Sequence, residues 1–202
     1  MAYPAASISK SITFGSLLPR YHKRHAAQAA TLAKPMMPSG GTFAARTIAY
    51  HCCPMRIDEL NQEHADIDWF AVDSEGHVVH VASGGGVLPE SVAASEEDLL
   101  QLHQYFLTLP ETEAAALVQP EANAAQSGRN AEGFVRYARR GLYSFDKTNL
   151  HEHRDTQYHL VARPAQPLRL AELPGPIAAL LLRTQLPVAV PQLTRLNVAG
   201  VA

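Results

Sequence analysis

The densest run of metal-ligating side chains is His151-Glu152-His153-Arg154-Asp155, with His159 shortly after it. In an extended segment, residues two apart share a face, so His151, His153 and Asp155 are expected to point together. Two imidazoles and a carboxylate suit zinc or iron(II), because neutral nitrogens and a hard oxygen match borderline divalent ions. The same residues also read as a polar loop between two strands. A divalent metal is therefore the alternative expectation, and no other cofactor is expected.

A second group is acidic. Asp66, Asp68, Asp73 and Glu75 gather around a hairpin and are expected to bind a partner, since charge complementarity speeds association with a basic protein. A general acid/base pair is the other use for such carboxylates. Ser83-Gly84-Gly85-Gly86 follows a strand, where backbone amides can cradle phosphate. No Lys-Ser/Thr pair follows, so it is neither a Walker loop nor a dinucleotide fingerprint, and a flexible turn is expected.

Nucleophilic catalysis has little to work with. There is no Gly-x-Ser-x-Gly elbow, and the two cysteines, Cys52 and Cys53, are adjacent in the chain. His103 falls among Leu99, Leu100, Phe106 and Leu107 and reads as a core histidine. His77 and His80 are three apart on a strand, hence on opposite faces. Arg136, Arg139 and Arg140 could hold an anion, but basic residues in a last helical turn also serve the helix dipole. Without a complete catalytic set, the reading leans away from an enzyme.

Charge divides the chain. The first 54 residues carry six basic and no acidic side chains, whereas residues 55–202 hold eleven basic and all nineteen acidic ones, a net of −8. Segments so different seldom share one packed unit. The acidic body repels phosphate backbones, so no nucleic-acid partner is expected. Adjacent cysteines cannot staple a fold, and a reducing compartment, the cytoplasm, follows. The apolar run Ile177–Leu182 is far too short to span a bilayer, so no membrane association is expected.

Residues 1–54 are rich in Ala, Ser and Pro, with prolines at 4, 19, 35 and 38. Such a segment buries too little apolar surface to offset its ordering entropy, so a disordered tail is expected. A transit peptide, a working tail and a true translation start at Met55 are its three explanations. Residues 55–202 are expected to form one domain.

The elements that position these side chains begin with two β-rich runs, Asp68–Asp73 and His77–Ser83, joined by Ser74-Glu75-Gly76 as a hairpin. Both faces of the first run are apolar, which predicts cover on both sides. Ser95 is placed to cap a helix that opens on Glu96-Glu97-Asp98 and ends at Leu109-Pro110. A second short helix is expected over Glu111–Val118, then a polar connector over 119–129. A further helix runs from about Asn130 to Arg140, and Gly141 stops it. Strands are expected at Leu142–Asp146 and Tyr158–Ala162, a short helix over Ile177–Leu182, and edge strands at Val188–Val190 and Leu196–Val198. The sum is an α+β fold with a mainly antiparallel sheet and two to four helices.

Two segments resemble a family. Asp68-Trp69-Phe70-Ala71-Val72-Asp73-Ser74-Glu75-Gly76-His77, leading to Ser83-Gly84-Gly85, is similar to the opening hairpin of small uncharacterised bacterial cytoplasmic proteins. Arg140-Gly141-Leu142-Tyr143-Ser144-Phe145-Asp146, followed by Tyr158, Arg163-Pro164 and Leu173-Pro174, is similar to a second segment of the same group. The resemblance covers most of residues 66–182. Some of those relatives look like immunity proteins of bacterial toxin systems, which implies a protein partner and a bacterial source. The expected function is a non-catalytic protein-binding domain of immunity type, with a metal-dependent protein as the alternative.

Overall fold

A computed structural model describes residues 54–112, 117–118, 131–150 and 152–201. The expectations for the N-terminal segment, for Cys52 and Cys53, for the 119–129 connector and for His151 lie outside the described residues.

The expected hairpin is present. β1 (Asp68–Val72) and β2 (Val78–Ala82) pair antiparallel with Phe70 opposite His80. Gly76 closes the turn at φ +85°, a conformation that a residue with a Cβ seldom adopts. As the two-faced apolar pattern predicts, Trp69, Phe70, Ala71 and Val72 are all buried.

Two short helices, α1 (Glu59–His64) and α2 (Glu90–Ala93), flank the hairpin in sequence. α3 (Glu96–Thr108) follows, with the Ser95 hydroxyl accepting from Asp98 N at 3.1 Å and three acids in its first turn. Its inward side chains Leu99, Leu102 and Phe106 recur at helical spacing. The helix expected over Glu111–Val118 does not form at either end. Glu111 and Thr112 are irregular, and Leu117–Val118 is a strand, β3, because its backbone completes the edge of the sheet beside Ala162 and Arg163.

α4 (Glu132–Ala138) packs on β4 (Tyr143–Lys147) and β5 (Gln157–Arg163). Gly141 separates α4 from β4 at φ +94°, and a Cβ there would lie 2.8 Å from Leu168 Cβ. α5 (Gly175–Leu181) packs on α3 and β1, and β6 (Arg195–Asn197) ends the sheet.

The strand order is β1-β2-β4-β5-β3, with β6 also pairing with β5. Every pairing is antiparallel except β2 with β4. The fold is therefore α+β with a mainly antiparallel sheet. Among the described residues there are five α-helices, more than expected, since α1 and α2 are too short to show a period.

Both faces of β1 are buried. On one face Phe70 meets Phe106 and His103 of α3 at ring-centroid distances of 4.8 and 4.9 Å, and Tyr137 of α4 at 5.6 Å. On the other, Trp69 meets Tyr158 edge-on at 6.3 Å. The expected strand at Val188–Val190 does not form. Flanking Pro187 and Pro191 donate no hydrogen bonds, and the chain crosses from the β1 edge, where Leu186 N bonds Val72 O, to β6 beside β5. Leu186, Val190, Leu196 and Val198 join the same buried cluster as Trp69 and Tyr158.

Candidate functional site

The parallel pair β2 and β4 ends side by side, and both strands continue into loops of interest to function. β2 leads into Ser83-Gly84-Gly85-Gly86 and β4 leads into residues 148–156. Brought together there, the two loops clasp one another. His153 Nδ1 donates to Gly85 O at 2.7 Å, and Val87 N donates to His153 O at 3.3 Å. Lys147 Nζ reaches the same His153 carbonyl at 3.0 Å.

The glycines are required by close approach rather than by flexibility. Gly84 and Gly85 have φ of +56° and +73°. A Cβ at Gly85 would lie 2.9 Å from Glu63 O, and one at Gly86 would run into the Lys147 ammonium. Lys147 itself is only 1% exposed. A buried ammonium must be met by oxygen acceptors to offset its desolvation, and the His153 carbonyl is one of them. The glycine loop is thus a fitted cover over Lys147, not a plain turn.

The metal expectation rested on an extended 151–155 segment. The chain turns there instead, with Asp155 N donating to Glu152 O at 3.0 Å, so the two-residue face rule does not apply to it. His153 is half-buried, and its bond to Gly85 O puts a proton on Nδ1. Asp155 Oδ1 accepts from Gln157 N at 3.0 Å, while His159 is buried within β5 opposite Asp146 and Arg195. Among the described residues no three His, Cys, Asp or Glu side chains gather as a metal set.

The four hairpin carboxylates occupy different surroundings. Asp66 and Asp68 stand at the open end of the hairpin, Asp73 and Glu75 at its turn. Asp66 is exposed and accepts from Gly84 N at 2.8 Å, which ties it to the glycine loop. Asp68 is partly buried, 3.4 Å from His80 Nε2. Glu75 is exposed.

Asp73 is a correction to the partner-binding expectation. It is buried, and both of its oxygens are occupied: Oδ1 by Glu75 N and His77 N, Oδ2 by His77 Nδ1 and Val190 N. Burial raises its pKa, but the hydrogen bonds from Val190 and His77 outweigh this and hold it below the usual carboxylate value. It organises the turn and cannot meet a partner.

Sequence reasoning missed the surface around α1. Leu60 is 69% exposed there, and Met55 and Val87 are each 49% exposed. Main-chain bonds fix these segments together. Met55 O accepts from Glu96 N and Ile57 N donates to Ala93 O, while the Gln62 side chain accepts from Leu88 N. Exposed carboxylates at Glu59, Glu63 and Asp66 surround Leu60 in sequence. The signal was present in Arg56-Ile57-Asp58-Glu59-Leu60-Asn61-Gln62-Glu63. Only Ile57 and Gln62 of that run turn inward, too few for a readable helical period.

Histidine and arginine expectations resolve as structural roles. His77 and His80 occupy different environments, as expected. His103 is more fully engaged than a core histidine needs: its Nε2 donates to Asp68 O at 2.9 Å and its Nδ1 accepts from the Tyr137 hydroxyl at 3.1 Å. Arg140 binds Leu109 O, Arg136 O and Glu111, and Arg139 lies within ion-pair reach of Glu111 and Glu132. These two guanidinium groups join α4 to the end of α3.

No helix among the described residues is long and apolar enough to cross a membrane. No family model, no curated protein and no solved structure matches the chain.

Proposed function

We propose that residues 55–202 form a non-catalytic protein-binding domain that docks a basic protein through the end of the molecule bearing α1 and the glycine loop. The observation that carries this reading is Leu60, 69% exposed on a helix whose neighbours Glu59 and Glu63 are acidic. A single exposed leucine is ordinary. Here Met55 and Val87 are also half-exposed on segments bonded to the same end. An apolar anchor within a charged rim is the usual composition of a protein interface. The net charge of −8 over residues 55–202 favours a cationic partner and steers its approach.

In its finer form the reading is an immunity-type protein of a bacterial cytoplasm that neutralises a toxin partner, which rests on the resemblance of residues 66–182. Asp66 stays within the proposed surface. Asp68 borders it, while Glu75 at the turn end of the hairpin and the buried Asp73 lie outside it.

The test compares the full chain with Leu60→Asp and with Glu59→Lys/Glu63→Lys as affinity baits in cells of the source organism. A captured protein is then purified and titrated against each bait. The reading predicts one basic protein binding the native chain at a defined ratio, with Leu60→Asp weakening it at least tenfold. Equal binding by all three baits, or no specific partner for the native chain, would overturn it.

A metal-dependent protein remains the second reading, and one observation favours it: the Nδ1 bond of His153 orients the ring as metal-ligating histidines are oriented.

A further inference from the structure

The interface between the sheet and its two main helices contains polar groups that the docking reading does not use. His103 of α3 donates from Nε2 to Asp68 O of β1 and accepts at Nδ1 from the Tyr137 hydroxyl of α4. One imidazole ring therefore joins three elements, and in its neutral Nε2–H form it donates to Asp68 O while the Tyr137 hydroxyl donates to it. Tyr137 also stacks on His80 of β2, with ring centroids 3.9 Å apart and planes 23° apart. His80 in turn lies 3.3 Å from Ser144 Oγ of β4 and 3.4 Å from Asp68 Oδ1. Phe70 sits among these rings, 4.9 Å from His103 and 5.7 Å from His80.

We propose that His103 is a proton-operated latch: neutral, it holds α3 and α4 on the sheet, and on acidification it releases them. A proton added at Nδ1 converts the acceptor of the Tyr137 hydrogen bond into a donor. The hydroxyl must then turn to accept from Nδ1, and its own proton must find another acceptor within the buried interface. The groups facing the ring are few: Asp68 from β1, His80 from β2 and Tyr137 from α4, with Arg136 and Arg140 acting on Tyr137 from α4 and its end. Asp68 is the one carboxylate among them, and it also faces His80. A positive charge on His103 is thus met by a shared counter-ion and opposed by burial.

The expected direction agrees with this. Burial lowers the His103 pKa, and Asp68 only partly restores it. Burial likewise raises the Tyr137 pKa, so that hydroxyl keeps its proton across the working range. A histidine whose folded pKa lies below its unfolded value stabilises fully above the unfolded value, and that stabilisation is lost as pH falls below it.

Hydrogen exchange on the full chain at pH 7.5 and 5.0, corrected for intrinsic rates, tests the latch. Protection of α3 and α4 amides should fall at pH 5.0 relative to β2, in the direction set by the lowered His103 pKa. In His103→Gln, whose amide can donate and accept without charging, that difference should vanish. NMR titration of the native His103 ring gives a second reading that needs no variant. It should charge only at a lower pH than an imidazole in the unfolded chain does. A ring that charges at its ordinary pH with α3 still protected, or an equal loss of protection in His103→Gln, would overturn the proposal.

Discussion

Asp73 receives two hydrogen bonds from His77, one from its backbone N at 2.7 Å and one from its ring Nδ1 at 2.9 Å. The same carboxylate takes Glu75 N and Val190 N, both at 2.9 Å, and so ties the hairpin turn to the C-terminal crossing segment. Replacing Asp73 with Ala leaves these buried donors without an acceptor. We expect a loss of about 2–4 kcal/mol, read by urea unfolding, because orphaned buried donors carry their full desolvation cost. Asp73→Asn should recover part of it.

The same group sets an acid limit. Its folded pKa lies below the ordinary 3.8. The stabilisation is therefore complete above that value and fades as pH falls below it. Unfolding midpoints measured between pH 5 and pH 2 should drop more steeply for the native chain than for Asp73→Asn.

The glycine loop makes a steric prediction. Gly85→Ala meets a positive φ and the Glu63 carbonyl, and Gly86→Ala meets the Lys147 ammonium. Each should cost about 1–3 kcal/mol in thermal unfolding, with strain at Gly85 and displacement at Gly86 as the causes. Gly133→Ala, which has open space around it, should be neutral or slightly stabilising.

Helix capping offers a smaller and independent check. Ser95→Ala removes the acceptor for Asp98 N at the start of α3 and should cost about 1 kcal/mol.

How much of this was legible follows from the reach of each signal. The hairpin, the Ser95 cap and the α4 stop at Gly141 are local, and local rules found them. The α3 apolar face was read to include Leu100 and Leu107, which are only partly buried beside Leu99, Leu102 and Phe106. The strand at Leu117–Val118 was misread because pairing with Ala162 and Arg163 depends on residues far away in sequence. Val190 looked like an edge strand for the same reason, as its amide serves Asp73 rather than a ladder. At the candidate site, counting histidines suggested ligands. The turn that Asp155 closes onto Glu152 is a matter of backbone geometry which residue types alone do not specify. The burial of Lys147 was likewise invisible, since only the folded loop shows what the three glycines approach.

The metal reading can be settled with protein in hand. Calorimetric titration of zinc into the full chain, native and His153→Ala, should show a one-to-one site that the substitution abolishes if His153 is a ligand. Equal, weak heats in both would remove that reading.

The most direct test of the docking account is the affinity of Leu60→Asp for the basic protein captured by the native chain, at two salt concentrations. The account predicts binding at least tenfold weaker than native, and native binding that weakens as salt rises. Unchanged affinity in Leu60→Asp, with native binding indifferent to salt, would contradict it.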